Sequence, residues 1–120
     1  MSVLVDSSVW VEYFRGSASD GRLDFLIEEN LVVVNDLILA ELIPALHLRR
    51  QRKLISLMRE IICPPLEVDW DALIQMQIAC LKHGINKVGI PDLMIAQHAI
   101  HNHLELYTRD KHFKLIARHV

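Results

Sequence analysis

Two runs stand out in the alternation of apolar and polar residues, Ser2–Val5 (SVLV) and Leu31–Val34 (LVVV). Both are uncharged, short and rich in β-branched residues, as expected of strands buried on both faces of a sheet. Leu104–Tyr107 (LELY) reads as a further strand, and Leu66–Val68 (LEV) as a weak one. Elsewhere the apolar positions recur at helical spacing. Asp6, Ser7 and Ser8 are good N-cap residues ahead of VWVEYF, a helix ending near Gly16. SASDGR (17–22) is a loop by composition, and LDFLIEE (23–29) a short amphipathic helix. Asn35 and Asp36 can cap LILAELIPALHL, which Pro44 is expected to bend or interrupt. Arg49–Glu60 (RRQRKLISLMRE) is an amphipathic helix with a basic first half, broken by CPP. Asp69–His83 forms a helix stopped by Gly84, and INKVG is a loop. Pro91 suits the first turn of the next helix, and DKHFKLIAR is a last short one.

The chain shows no repeat, low-complexity segment or linker, so residues 1–120 form a single domain. Strands alternating with helices predict an α/β three-layer sandwich with a mainly parallel sheet of four to five strands.

Four acids then become conspicuous. Asp92 lies near the front of VGIPDLMIAQHAI, where Ile95 and Ala96, its neighbours at i+3 and i+4, offer no positive charge. Glu41 is similarly isolated in LILAELIPAL. A carboxylate in such a place loses hydration and gains no local partner. Asp6 and Asp110 follow the first and last strands, at the carboxyl edge of the sheet. Glu41 lies early in the helix leaving the second strand, and Asp92 opens the helix that leads into the last one. All four therefore point to the edge where open α/β sheets bind ligands.

Four carboxylates meeting there would repel one another unless a cation sat between them. Mg²⁺ and Mn²⁺ prefer such oxygen-rich surroundings. One such ion activates water and steadies phosphoryl charge, and two, ~3.5–4 Å apart, can hold both the attacking and leaving oxygens. That chemistry is phosphodiester hydrolysis.

Composition narrows the setting. With 120 residues and 52% hydrophobic content, the chain can fill one real core. MSVLVDSS lacks the pattern of a signal peptide, and no uncharged apolar run approaches the ~20 residues of a membrane span. Cys63 and Cys80 are too few for a disulfide scaffold. A soluble, cytoplasmic protein without membrane contact is expected. The formal charge of −2 is not that of a nucleic-acid coat. If the four acids serve one metal site, however, the remainder is net positive, and RNA stays open as a partner.

The ordered motifs VLVDSSVWVEYFRG, LAEL, IPDLMIA and YTRDKHF resemble the PIN-domain family of ribonucleases, from about Val3 to Phe113. The opening is particularly similar to VapC-type toxins of bacterial and archaeal toxin–antitoxin pairs. The resemblance implies that Asp6, Glu41, Asp92 and Asp110 are the acidic metal-site residues. It further implies a Mg²⁺- or Mn²⁺-dependent endoribonuclease using one or two ions, a homodimer, a structured RNA substrate and inhibition by a cognate antitoxin. Ser8 and Thr108 match the family's polar positions and are expected to orient carboxylates or water. Family members usually continue into a fifth, edge strand; here the sequence stops at RHV, so that strand is absent or was removed.

Other uses compete for these residues. Asp6 and Asp110 could cap helices, and Asp92 could complement a helix dipole. Glu41 has no comparable ordinary use. Arg15, Lys87, Arg109 and Lys111 lie close in sequence to the acids and are candidates for substrate phosphates, although Arg15 could serve in an ion pair. The RRQRK run could meet RNA, an acidic antitoxin patch or only solvent. Trp10 and Tyr13 could stack bases, but their helical spacing favours packing. His98, His101 and His103, or Cys80 with His83, do not form a clean zinc pattern. A receiver-like phosphoacceptor domain would require neighbouring acids after strand one, and VLVDSS supplies one. An inactive PIN fold serving as an interaction module is opposed by the presence of all four acids.

Overall fold

The computed structural model describes residues 2–16 and 21–119, so most of the expected 17–22 loop lies outside it. Three parallel strands form the sheet among the described residues: β1 (Val3–Val5), β2 (Val32–Val33) and β3 (Glu105–Tyr107), in the order β2-β1-β3. Val3 pairs with Val32 and with Glu105, Leu4 with Val33 and Leu106, and Val5 with Tyr107. Because β1 is central, Val3, Leu4 and Val5 are all buried, which explains its uninterrupted apolar sequence.

Seven helices complete the described fold: α1 (Ser7–Phe14), α2 (Arg22–Glu28), α3 (Asp36–Leu48), α4 (Arg52–Glu60), α5 (Trp70–Lys82), α6 (Ile90–His101) and α7 (His112–His119). Packing joins α1 and α4 to α3, while α5, α6 and α7 pack together. Residue chemistry sets the helix starts. Asn35 Oδ1 accepts from the Ile38 N–H at 2.9 Å to open α3, and Asp69 Oδ1 accepts from the Ala72 N–H at 3.0 Å to open α5. Gly84 takes a left-handed φ of 73° just beyond α5, as a helix-terminating glycine should.

Three expectations change. Pro44 does not interrupt α3, which continues through it with Leu39, Leu42 and Leu46 buried; that apolar face offsets the missing backbone donor. The helix expected from Arg49 begins at Arg52, because Arg49 and Arg50 form a turn in which Arg50 has a φ of 57°. Leu66–Val68 is not a strand. Among the described residues the chain bridges to the sheet edge at Ile62, opposite Val33, and then runs without regular structure to Asp69.

That segment is held by side chains of α6. Gln97 accepts from the Asp69 N–H at 3.1 Å and donates to the Asp69 carbonyl at 3.0 Å. His98, buried in the core, meets Asn35 Nδ2 through Nδ1 and the Pro65 carbonyl through Nε2, each at 3.2 Å. Since Asn35 Oδ1 is occupied as the α3 cap, its amide donates to Nδ1, which leaves Nε2–H for Pro65.

Leu4 is fully buried, whereas Ile100 on α6 is 63% exposed. Leu4→Ala should therefore cost about 2–5 kcal/mol in urea denaturation, and Ile100→Ala no more than about 0.5 kcal/mol.

Candidate functional site

Asp6 follows β1 directly and its backbone N–H continues the ladder, donating to the Tyr107 carbonyl at 2.9 Å. It occupies the N-cap position of α1 but makes no side-chain cap bond. Instead its Oδ2 accepts from the hydroxyls of Ser8 and Thr108, each at 2.8 Å. Ser8 Oγ in turn accepts from the Arg109 N–H, and Thr108 Oγ1 from the Asp110 N–H, both at 3.0 Å. The two hydroxyls thus stitch the end of β1 to the loop after β3, fixing Asp6 and the backbone of Asp110 together. Asp6 is only 5% exposed, so a carboxylate without these donors would be costly there.

Asp110 Oδ1 accepts from the His112 N–H at 2.9 Å and lies 3.1 Å from His112 Nδ1. Asp92, in the first turn of α6, reaches back to accept from the Gly89 N–H at 3.2 Å. Both acids therefore also do the helix-end work that their positions suggested. Glu41, in the second turn of α3, makes no hydrogen bond or ion pair among the described residues.

The electrostatics bind the acids into one cluster. Partial desolvation raises the Glu41 carboxyl above its ordinary value, and the charges of Asp6 and Asp92 raise it further. Desolvation likewise raises Asp92; the Gly89 N–H and His112 oppose this, while Asp110 and Asp6 add to it. Donor atoms of Asp92, Asp110 and His112 all lie within 4.8 Å of one another, the one such group among the described residues. This donor set fits a divalent cation: two carboxylates and an imidazole converge, with Asp6 and Glu41 close enough to contribute charge. Arg109 does not neutralise the cluster. Arg109 is paired with Glu12 at 3.0 Å, and its other end reaches the Tyr107 hydroxyl at 3.2 Å.

The four sequence-predicted acids are thus brought together, with Ser8 and Thr108 on Asp6. His112 joins them unannounced. Its only sequence signal is the two-residue spacing from Asp110, and a turn rather than a regular period brings the ring round. Among the candidate phosphate ligands, Lys87 and Lys111 are exposed near the cluster in sequence, and Arg109 is internally engaged. Arg15 caps the far end of α1.

Arg49, Arg50, Arg52 and Lys53 are exposed beyond the end of α3, roughly 12 Å of helix from Glu41. Trp10 packs in the core against Tyr13 and Phe14, with ring centroids 6.1 and 5.7 Å away. Tyr13 donates to Asp24 at 2.7 Å. His98 is a satisfied core residue, while His101 and His103 are exposed and outside the metal-competent group. Cys63 and Cys80 are unpaired thiols. No helix among the described residues is long and apolar enough to cross a membrane.

Known proteins share this fold. VapBC2 from Rickettsia felis, solved bound to a DNA fragment from their promoter, superposes with a TM-score of 0.76 at 21% identity, over 95% of this chain and 92% of that one. FitAcB from Neisseria gonorrhoeae gives 0.70 at 25% identity, over 97% and 93%. VapC20 from Mycobacterium tuberculosis, a sarcin–ricin loop cleaving toxin, gives 0.65 at 20% identity, over 99% and 97%. Among curated proteins, none matches. The PIN domain profile matches residues 3–119, nearly the whole sequence, and the chain belongs to the PIN domain family.

Proposed function

We propose that this PIN domain is a metal-dependent endoribonuclease, the toxin of a VapBC-type toxin–antitoxin pair. The observation that carries the reading is the convergence of Asp92, Asp110 and His112 within 4.8 Å, beside a tethered Asp6 and an unpaired Glu41. Such a cluster repels itself in the absence of a cation, which is a poor arrangement for structure alone and a good one for binding Mg²⁺ or Mn²⁺.

When bound, the ion would supply an activated water and stabilise charge on the phosphoryl group. The residues assigned to hold it are Asp6, Glu41, Asp92 and Asp110, with His112 added to the set. Ser8 and Thr108 fix which oxygen of Asp6 remains available, since both donate to Oδ2. Lys87 and Lys111 are the exposed cations best placed in sequence to meet the RNA backbone. In hydrolysis a water oxygen bonds to phosphorus and a ribose oxygen departs with a proton.

Structured RNA is the proposed substrate, by analogy with VapC20. The likenesses to VapBC2 and FitAcB support a cognate antitoxin as partner. Trp70, Ile74, Ile78 and Leu81 form an exposed apolar stripe along α5, surface of the kind a second copy would cover in a homodimer.

Cleavage of a pool of structured RNAs should occur with Mn²⁺, stop with EDTA, and fall at least about 100-fold in Asp92→Asn. Melting curves of the variant should show an intact fold. Cleavage persisting in both EDTA and Asp92→Asn would overturn the reading.

Glu41→Gln should raise the melting temperature of metal-free protein near neutral pH. The folded carboxyl has a raised pKa, so its ionised form costs stability above that pKa. Well below its ordinary value of 4.5 both folded and unfolded carboxyls are protonated, and the gain should vanish there. Added Mn²⁺ should stabilise the wild type more than this variant. Ser8→Ala and Thr108→Val should each weaken Mn²⁺ binding about tenfold, read by titration calorimetry, because Asp6 loses a donor that orients it.

A further inference from the structure

Between α5 and α6 the burial pattern reads as two anchors with a polar pair between them. Ile85 and Val88 are buried at 7% and 4% exposure, while Asn86 and Lys87 are exposed. The first anchor is set by the way α5 ends. The Gly84 N–H donates to the Leu81 carbonyl at 3.1 Å and the Ile85 N–H to the Cys80 carbonyl at 2.8 Å, with Gly84 left-handed. This closure turns Ile85 into the core and starts the loop in a defined direction. The buried Ile85 and Val88 thus pin the two ends of the exposed Asn86–Lys87 pair.

They open onto a cavity of about 290 Å³, lined by His83, Ile85, Asn86, Lys87, His112 and Leu115. One wall, His112, is also the imidazole 3.1 Å from Asp110. The cavity thus shares His112 with the acid cluster and extends away from it. Its chemistry is mixed in a particular way. Ile85 and Leu115 give apolar surface, and two imidazoles give flat faces. Asn86 gives an amide that both donates and accepts, and Lys87 a positive charge. An apolar ligand would leave the amide and ammonium unused, and a metal would find no carboxylate among these residues.

We propose that this cavity receives one unstacked nucleotide of the RNA next to the cleaved bond, with Asn86 reading the base edge and Lys87 meeting its phosphate. Single-stranded bases are recognised by this combination of stacking and edge hydrogen bonds, and a flat base suits a pocket walled by imidazoles and aliphatic carbons. The proposal rests on the nuclease reading for its substrate and gives that site a specificity element. Asn86 touches the base and not the reacting phosphorus, so it selects which linkage is cut.

Two measurements test it. The first needs no cleavage: metal-free protein is titrated with each of the four ribonucleoside 5′-monophosphates while the Asn86 side-chain amide and the His112 ring are followed by NMR. Some of the four should shift these resonances more than others. The second uses Mn²⁺ and RNA hairpins with randomised loops, with product ends sequenced. The wild type should show a preference of about tenfold at one position beside the cut, the scale of a single base contact. Asn86→Ala should reduce that preference to within about twofold by lowering kcat/KM for the favoured base more than for the others. Lys87→Ala should weaken all four bases alike. A merely structural loss in Asn86→Ala would lower all four equally and overturn the proposal. So would the absence of any Asn86 shift with every nucleotide, even if metal-dependent cleavage is found. Shifts at Asn86 without metal-dependent cleavage would instead support the pocket and sink the nuclease reading.

Discussion

The buried carboxylate of Asp6 is where the fold and the site become one object. It ends the central strand, and its Oδ2 collects the hydroxyls of Ser8 and Thr108. Each hydroxyl accepts a backbone N–H from the loop after β3. β1 and β3 are paired along their length, but hydrogen bonding in a parallel ladder stops at the strand ends. Without the hydroxyl pair, the backbone at Arg109 and Asp110 would lose its link to Asp6. With it, the first and last acids in the sequence share one small network, and a buried charge receives the donors that make its burial tolerable.

A second polar network serves the other half of the sheet edge. Asn35 caps α3, the helix that carries Glu41, and its amide also reaches His98 on α6, the helix that carries Asp92. His98 then holds the Pro65 carbonyl, and Gln97 holds both backbone groups of Asp69. These side chains satisfy parts of a segment that would otherwise seek a sheet partner. That is why the connection from β2 to α5 needs no fourth strand. Two buried polar residues side by side on α6 do this work, and both are fully engaged.

How far the sequence could be read follows from the range of each signal. β1, β2 and the helix starts at Asn35 and Asp69 depend on neighbours within a few residues, and they were legible. So was the isolation of Asp92 and Glu41, because a missing charge partner on the same helix is a local fact. Leu66–Val68 was misleading, since its apolar alternation says nothing of Gln97 reaching across to the backbone at Asp69. Arg109 resembled a free phosphate ligand because its partner Glu12 is 97 residues away in sequence. His112 escaped because the turn after Asp110, which brings its ring to the cluster, has no periodicity to betray it.

The four acids are not held alike, and the difference bears on how a cation would be accommodated. Asp6 is fixed by two hydroxyls, Asp92 by the Gly89 N–H and Asp110 by the His112 N–H. Each bond leaves carboxylate lone pairs unspent while restricting the rotamer, so these acids cannot turn away from one another to relieve repulsion. Glu41 has no such tether among the described residues, and its side chain is longer. Three acids therefore form a preorganised arc, and the fourth can adjust to what lies within it. A rigid set alone would demand one ion geometry, and a loose set would pay the full entropy of ordering. Fixing three and leaving one untethered would keep most of the preorganisation while letting the fourth carboxylate adjust to a bound cation.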